Sequence, residues 1–221
     1  MIRAVVFDLD DTLTPEFEYV KSGYAVVSRI LSSVLGMGEQ ELYEMLIALY
    51  SEDRQRVFNR LFEQLDKPYS HDDIMMLVHS YRNHVPTIMF YDDVIPCLER
   101  ARQRKLRIGI ITDGYAVSQK QKLRALNAHQ YFDHIIVTDD LGREYWKPHP
   151  LPFELMKETL GVEFHEMMYV GDNPSKDFYI SQVYPITTVR IDRKGIYKET
   201  PYRYGVKEHY TIESFSQLIF D

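Results

Sequence analysis

Ala4-Val5-Val6-Phe7-Asp8-Leu9-Asp10-Asp11-Thr12 is the stretch that decides how this chain is read. An unbroken apolar run gives way at once to charge. That pattern predicts a strand buried on both faces, with polar residues at its carboxyl end. Residues two apart on an extended segment point the same way, so Asp8 and Asp10 would share one pocket. Working outward, similar runs recur at 106–111, ending in Thr112-Asp113-Gly114, and at 134–137, ending in Thr138-Asp139-Asp140. Two more are 167–170, ending in Gly171-Asp172-Asn173, and 186–191.

Helical patterns at 94–104, 118–126, 152–160 and 175–183 separate these runs. Strands alternating with helices predict an α/β fold, a doubly wound parallel sheet of Rossmann-like kind with helices on both faces. Chemistry in such sheets collects outside the carboxyl ends of the strands. Those ends carry Asp8, Thr112, Asp139 and Asp172. Residues 14–90 break the alternation and read as amphipathic helices at 18–35, 39–50, 54–65 and 72–84. Ser70, with an acid three residues later, marks the start of the last of these. The expected division is an α/β core of residues 1–13 and 91–221 with an inserted α-helical cap of residues 14–90.

The chain has 221 residues, of which 45% are hydrophobic and 27% charged, so a packed core is expected and bulk disorder is not. A formal net charge of -7 argues against nucleic acid and anionic membrane as partners. The single cysteine, Cys97, excludes an intramolecular disulfide and a cysteine-rich zinc site. The first residues lack a signal-peptide apolar stretch, and no apolar run approaches the roughly 20 residues of a membrane span. A cytoplasmic protein is the expectation. The histidines show no zinc-ligand spacing, and Asp139-Asp140 reads as loop and capping chemistry.

Asp8 and Asp10 share one pocket on this reading, and Asp172 at another strand's end would add a third carboxylate to it. At about 5 Å separation and an effective dielectric of about 20, each pair repels by about 3 kcal/mol. Either some carboxylates protonate or a cation binds, and hard oxygen ligands favour Mg²⁺.

Asp8-x-Asp10-x-Thr12 resembles the first signature of the haloacid dehalogenase superfamily, in its phosphatase branch. Thr112 matches the second signature, Lys147 in Trp146-Lys147-Pro148 the third, and Gly171-Asp172-Asn173-Pro174-Ser175-Lys176-Asp177 the fourth. All four stand in order, across nearly the whole chain. Asp11 departs from the pattern, because glycine is frequent at that position.

The resemblance implies a Mg²⁺-dependent phosphatase acting on a small phosphorylated metabolite, a sugar phosphate or nucleotide. It implies that Asp8 is the nucleophile and Asp10 the general acid and base. Thr112, Asp113 and Lys147 would hold the phosphoryl group, and Asp8, Asp10 (through its backbone carbonyl) and Asp172 the metal. Asp177 and Asn173 would stand behind them, Asp177 orienting Lys147 or a metal-bound water. Dehalogenases of the superfamily lack the second aspartate of the first signature, so Asp10 argues against dehalogenation. A phosphomutase would share Asp8 and Asp10, and a non-catalytic binding protein would have lost Asp8, Asp10 or Lys147. Substrate choice is expected within the helical insertion, with Arg54, Arg56, Arg60 and Arg82 as its basic candidates.

Overall fold

The computed structural model describes residues 1–193 and 197–221. The chain forms two compact units, one of Met1–Glu16 with Met89–Asp221 and one of Phe17–Ile88.

The first unit is built on a parallel six-stranded sheet of β1 (Ala4–Phe7), β2 (Arg107–Thr112), β3 (His134–Val137), β4 (Met167–Gly171), β5 (Thr187–Ile191) and β6 (Tyr210–Ile212). The strand order is β3-β2-β1-β4-β5-β6. Order therefore reverses direction at β1 and β4, the place where doubly wound sheets open a crevice at the strands' carboxyl ends. Every residue of β1 is buried, as an apolar run without alternation requires. Ala4 and Val6 pack with Phe153, Met156 and Tyr169 on one face. On the other, Phe7 meets Phe132 and Phe215 edge to face. The helices of this unit are α5 (Val94–Gln103), α6 (Ala116–Ala125), α7 (Leu151–Leu160) and α8 (Ile180–Val183).

The second unit is formed by α1 (Glu16–Leu35), α2 (Glu39–Glu52), α3 (Val57–Gln64) and α4 (His71–Asn83). Its core draws Val20, Tyr24, Val27 and Leu31 from α1, a spacing of four, three and four residues that lines one helical face. Leu42, Leu46 and Leu49 of α2, Val57, Phe58, Leu61 and Phe62 of α3 and Leu77 of α4 complete it. Each such side chain, fully buried, contributes about 1.5–3 kcal/mol. Gly23 lets α4 approach, since a Cβ there would lie 2.5 Å from the Tyr81 ring. Ser70 caps α4 with Asp73 in a reciprocal box.

The structure departs furthest from the sequence pattern at α3, at α8 and at β6. α3 starts at Val57 rather than at 54, because the Asp53 side chain accepts the Gln55 N–H and Arg56 is left-handed at φ 51°. Its Arg60 is spent on α2, donating to the carbonyls of Leu49 and Asp53. The helix expected at 175–183 shrinks to Ile180–Val183, because Asn173 and Asp177 wind the preceding residues into a turn. The three-residue β6 is too short to show an alternation. Among the described residues, no helix is long and apolar enough to cross a membrane.

Candidate active site

Asp8 follows β1 directly and Asp172 follows β4, so the two strands flanking the switch point deliver both carboxylates to one crevice. The loop after Asp8 is held tightly. Asp11 takes φ 53°, the left-handed region that glycine enters freely and aspartate tolerates better than most residues. That conformation accounts for a position where glycine is frequent. Asp11 also gains something glycine would not supply: its Oδ1 accepts the Glu16 N–H at 2.9 Å, at the start of α1. Arg193 donates from Nε to the Thr12 carbonyl at 3.0 Å and grips Asp93 at 2.7 and 3.3 Å. Thr12 Oγ1 in turn donates to Asp172 Oδ1 at 3.5 Å.

Lys147 lies at the centre, with a fully buried side chain. Its Nζ is 2.8 Å from Asp8 Oδ1 and 2.9 Å from Asp177 Oδ1, and it donates to the Tyr169 hydroxyl at 2.7 Å. Burial alone would drive the proton off this amine, but Asp177, Asp8 and Asp113 outweigh burial and hold it charged. Burial pushes the Asp8 carboxyl up to about 6, against the pull of Lys147 and Lys176. Asp172 is raised well above the ordinary carboxylate range, first by burial and then by Asp8, Asp177 and Asp11.

Oxygens of Asp8, Asp172 and Asp177 lie within 4.8 Å of one another. The structure thus brings Asp177 into the carboxylate cluster with Asp8 and Asp172. The Asp10 side chain turns elsewhere, to Lys122 Nζ at 2.6 Å and Gln119 Nε2 at 2.9 Å. Any part for Asp10 in holding a metal therefore falls to its backbone carbonyl, the atom implied by the family resemblance. Three buried carboxylates whose oxygens converge, with Lys147 beside two of them, fit a hard dication, because all the donors are oxygen.

Thr112 ends β2 and is buried; its Oγ1 accepts from Gln119 Nε2 at 2.5 Å, which leaves its own O–H to donate. The Asp113 carboxylate accepts from Thr138 Oγ1 at 2.8 Å and the Lys147 N–H at 3.1 Å, and pairs with Lys176 at 3.3 Å. Burial opposes its ionisation, yet Lys147, Lys176 and these hydrogen bonds hold its carboxyl below the usual range. A carboxylate repels a phosphoryl dianion, so Asp113 can bind phosphate only through its main-chain N–H. Asn173 donates its N–H to Asp177 Oδ2 at 2.9 Å, and its side chain accepts from Ser175. Gly171 makes room for this: a Cβ there would lie 2.5 Å from Asp177 Oδ2.

Sequence reasoning missed Tyr169, Lys176, Gln119 and Lys122. Tyr169 stands inside an apolar strand and reads as core. Gln119 and Lys122 share one helical face with no signature around them. Lys176 lies within the fourth signature, where Asp172, Asn173 and Asp177 carry the implied roles. Trp146 packs edge to face with Tyr115, and Asp139 caps α6 by accepting the Ala116 N–H at 2.8 Å.

The profile of the family described as haloacid dehalogenase-like hydrolase matches residues 5–191. Glyceraldehyde 3-phosphate phosphatase of Methanopyrus kandleri is 31% identical over 206 residues, spanning 90% of this chain and 87% of its own. The solved HAD phosphatase from Thermococcus onnurineus aligns with TM-score 0.63 at 29% identity, over 98% of this chain and 95% of its own. A 2-haloacid dehalogenase from Pseudomonas syringae pv. Tomato DC3000 aligns with TM-score 0.65 at 25% identity, over 98% and 96%.

Proposed function

We propose, from the premise that this chain belongs to the haloacid dehalogenase-like hydrolase family, that it hydrolyses a small sugar phosphate through an aspartyl phosphate on Asp8 with Mg²⁺ bound beside it. The chain is a phosphoric monoester hydrolase, in keeping with relatives named as phosphatases. The observation that carries the finer reading is the buried Asp8–Lys147–Asp177 ion triad beside Asp172. The relatives named glyceraldehyde 3-phosphate phosphatase favour a triose phosphate within the sugar-phosphate class.

Lys147 holds Oδ1 of Asp8 and leaves Oδ2 to attack phosphorus in line with the leaving oxygen. The new bond is Asp8 Oδ2–P, the broken one is P–O to the substrate, and Asp10 gives the departing alkoxide its proton. Water then attacks phosphorus, Asp10 takes the water's proton, and inorganic phosphate leaves with Asp8 restored. Thr112 donates its hydroxyl to a phosphoryl oxygen. Lys147 and Lys176 offset the repulsion between the carboxylates and the phosphoryl group. Asp8, Asp172 and the Asp10 carbonyl would hold Mg²⁺, which would shield the phosphoryl oxygens from the carboxylates. A departing halide needs no proton, whereas a departing alkoxide does, so an aspartate at position 10 supports an oxygen leaving group.

The test is phosphate release from triose phosphates, larger sugar phosphates and nucleotides with Mg²⁺, together with acid-quench trapping of a labelled phosphoenzyme. The expected result is turnover of short sugar phosphates and a trapped phosphoenzyme that disappears in Asp8→Asn. Failure to release phosphate from any sugar phosphate, or label that persists in Asp8→Asn, would overturn the reading.

A further inference from the structure

Asp10 is gripped from α6. Lys122 Nζ donates to Oδ1 at 2.6 Å and Gln119 Nε2 to Oδ2 at 2.9 Å. The two donors stand three residues apart on one helical face, and both are buried, Lys122 at 3% and Gln119 at 1% exposure. The same Gln119 amide reaches Thr112 Oγ1 at 2.5 Å. One helix face thus joins the proton-carrying aspartate to the hydroxyl that would meet the phosphoryl group.

Stability gives no reason for this. Burying an ammonium costs several kcal/mol, and replacing a buried ion pair with apolar residues is often neutral or stabilising. Orientation does give a reason. The last torsion of an aspartate is soft and twofold, so an ungripped carboxylate sweeps a wide arc. A misplacement of about 1 Å at the reacting atoms costs about 10²-fold in rate. Two donors on separate oxygens stop that rotation. Each oxygen keeps a second lone pair for proton exchange.

We propose that Gln119 and Lys122 are positioning residues that fix the Asp10 carboxylate, through both its oxygens, in the orientation from which it exchanges a proton with the leaving oxygen. The inference rests on the acid–base role read for Asp10 above.

The experiment compares phenyl phosphate with 4-nitrophenyl phosphate in the full chain with Mg²⁺. The two are alike in shape, but nitrophenolate departs without help and phenolate needs a proton. kcat/KM reports the steps through departure of the leaving group, so later hydrolysis of the phosphoenzyme does not mask the difference. Lys122→Met is expected to lower kcat/KM about 100-fold on phenyl phosphate and no more than about tenfold on 4-nitrophenyl phosphate, with KM little changed. Gln119→Met, which leaves no buried charge unpaired by its own removal, should show the same selectivity and serves if Lys122→Met does not fold. Lys122→Arg, which keeps a cation on α6, should recover part of the loss on phenyl phosphate alone. Asp10→Asn sets the reference. Losses in the α6 variants that are equal on both substrates, beside a selective loss in Asp10→Asn, overturn the inference and spare the acid–base reading. An equal loss in Asp10→Asn overturns both.

Discussion

Lys147→Met probes the centre of the site. The methionine keeps the apolar stem and removes the ammonium that lies 2.8 Å from Asp8 and 2.9 Å from Asp177. At an effective dielectric of about 20, each attraction is about 6 kcal/mol. Much of that offsets the cost of dehydrating three charges, so the measurable loss on breaking such a network is about 3–5 kcal/mol. The loss must depend on pH. Burial already holds the Asp8 carboxyl at about 6 with Lys147 beside it, and removing the cation drives it higher. The folded variant then binds protons more tightly than its unfolded chain, so its stability falls as pH rises through that range. Urea unfolding without Mg²⁺ should show nearly the full penalty at about pH 7.5 and a much smaller one at about pH 5. Loss of electrostatic stabilisation at phosphorus should lower kcat by about 10²–10³-fold. A penalty equal at both pH values, or a kcat within about tenfold of the parent, would refute the reasoning.

Asp8→Asn should abolish turnover with the fold retained by circular dichroism, because an amide is a very poor nucleophile; substantial residual phosphate release would contradict this. Mg²⁺ affinity, followed by calorimetry, should fall as pH drops below about 6, where protons compete for the raised carboxyl of Asp8. Asp11→Ala should lose about 2 kcal/mol, from the lost cap on Glu16 and from alanine at φ 53°, whereas Asp11→Gly should lose only about half of that. Equal losses by thermal unfolding would sink the left-handed explanation. Arg60→Ala should destabilise the helical unit by about 2 kcal/mol, because a guanidinium bridging two carbonyls is removed, and should leave the ratio of rates on different sugar phosphates unchanged.

The sequence by itself determined the strand before Asp8, the parallel α/β class and the helical block. Each rests on periodicity, which depends only on near neighbours and so survives in a single line of residues. The unbroken run 4–7 says that both faces are covered, and β1 is buried throughout. The apolar spacing of α1 and the capping box at Ser70 are equally local. Asp8, Thr112, Lys147 and Asp172 were legible because each is fixed to a strand end or signature whose surroundings announce it. Tertiary structure alone decided what these residues touch. The order β3-β2-β1-β4-β5-β6 makes β1 and β4 neighbours although more than 150 residues separate them, and only that adjacency sets Asp172 beside Asp8. Tyr169 points its hydroxyl at Lys147 from within a strand whose apolar neighbours hide it. Gln119 and Lys122 carry no local mark of function, because an amphipathic helix presents polar residues whether or not a partner awaits them. Their buried position, and the turn of Asp10 toward them and away from the other carboxylates, follow from where α6 packs against the sheet. That choice is made by contacts between residues more than 100 positions apart, which no sequence period encodes.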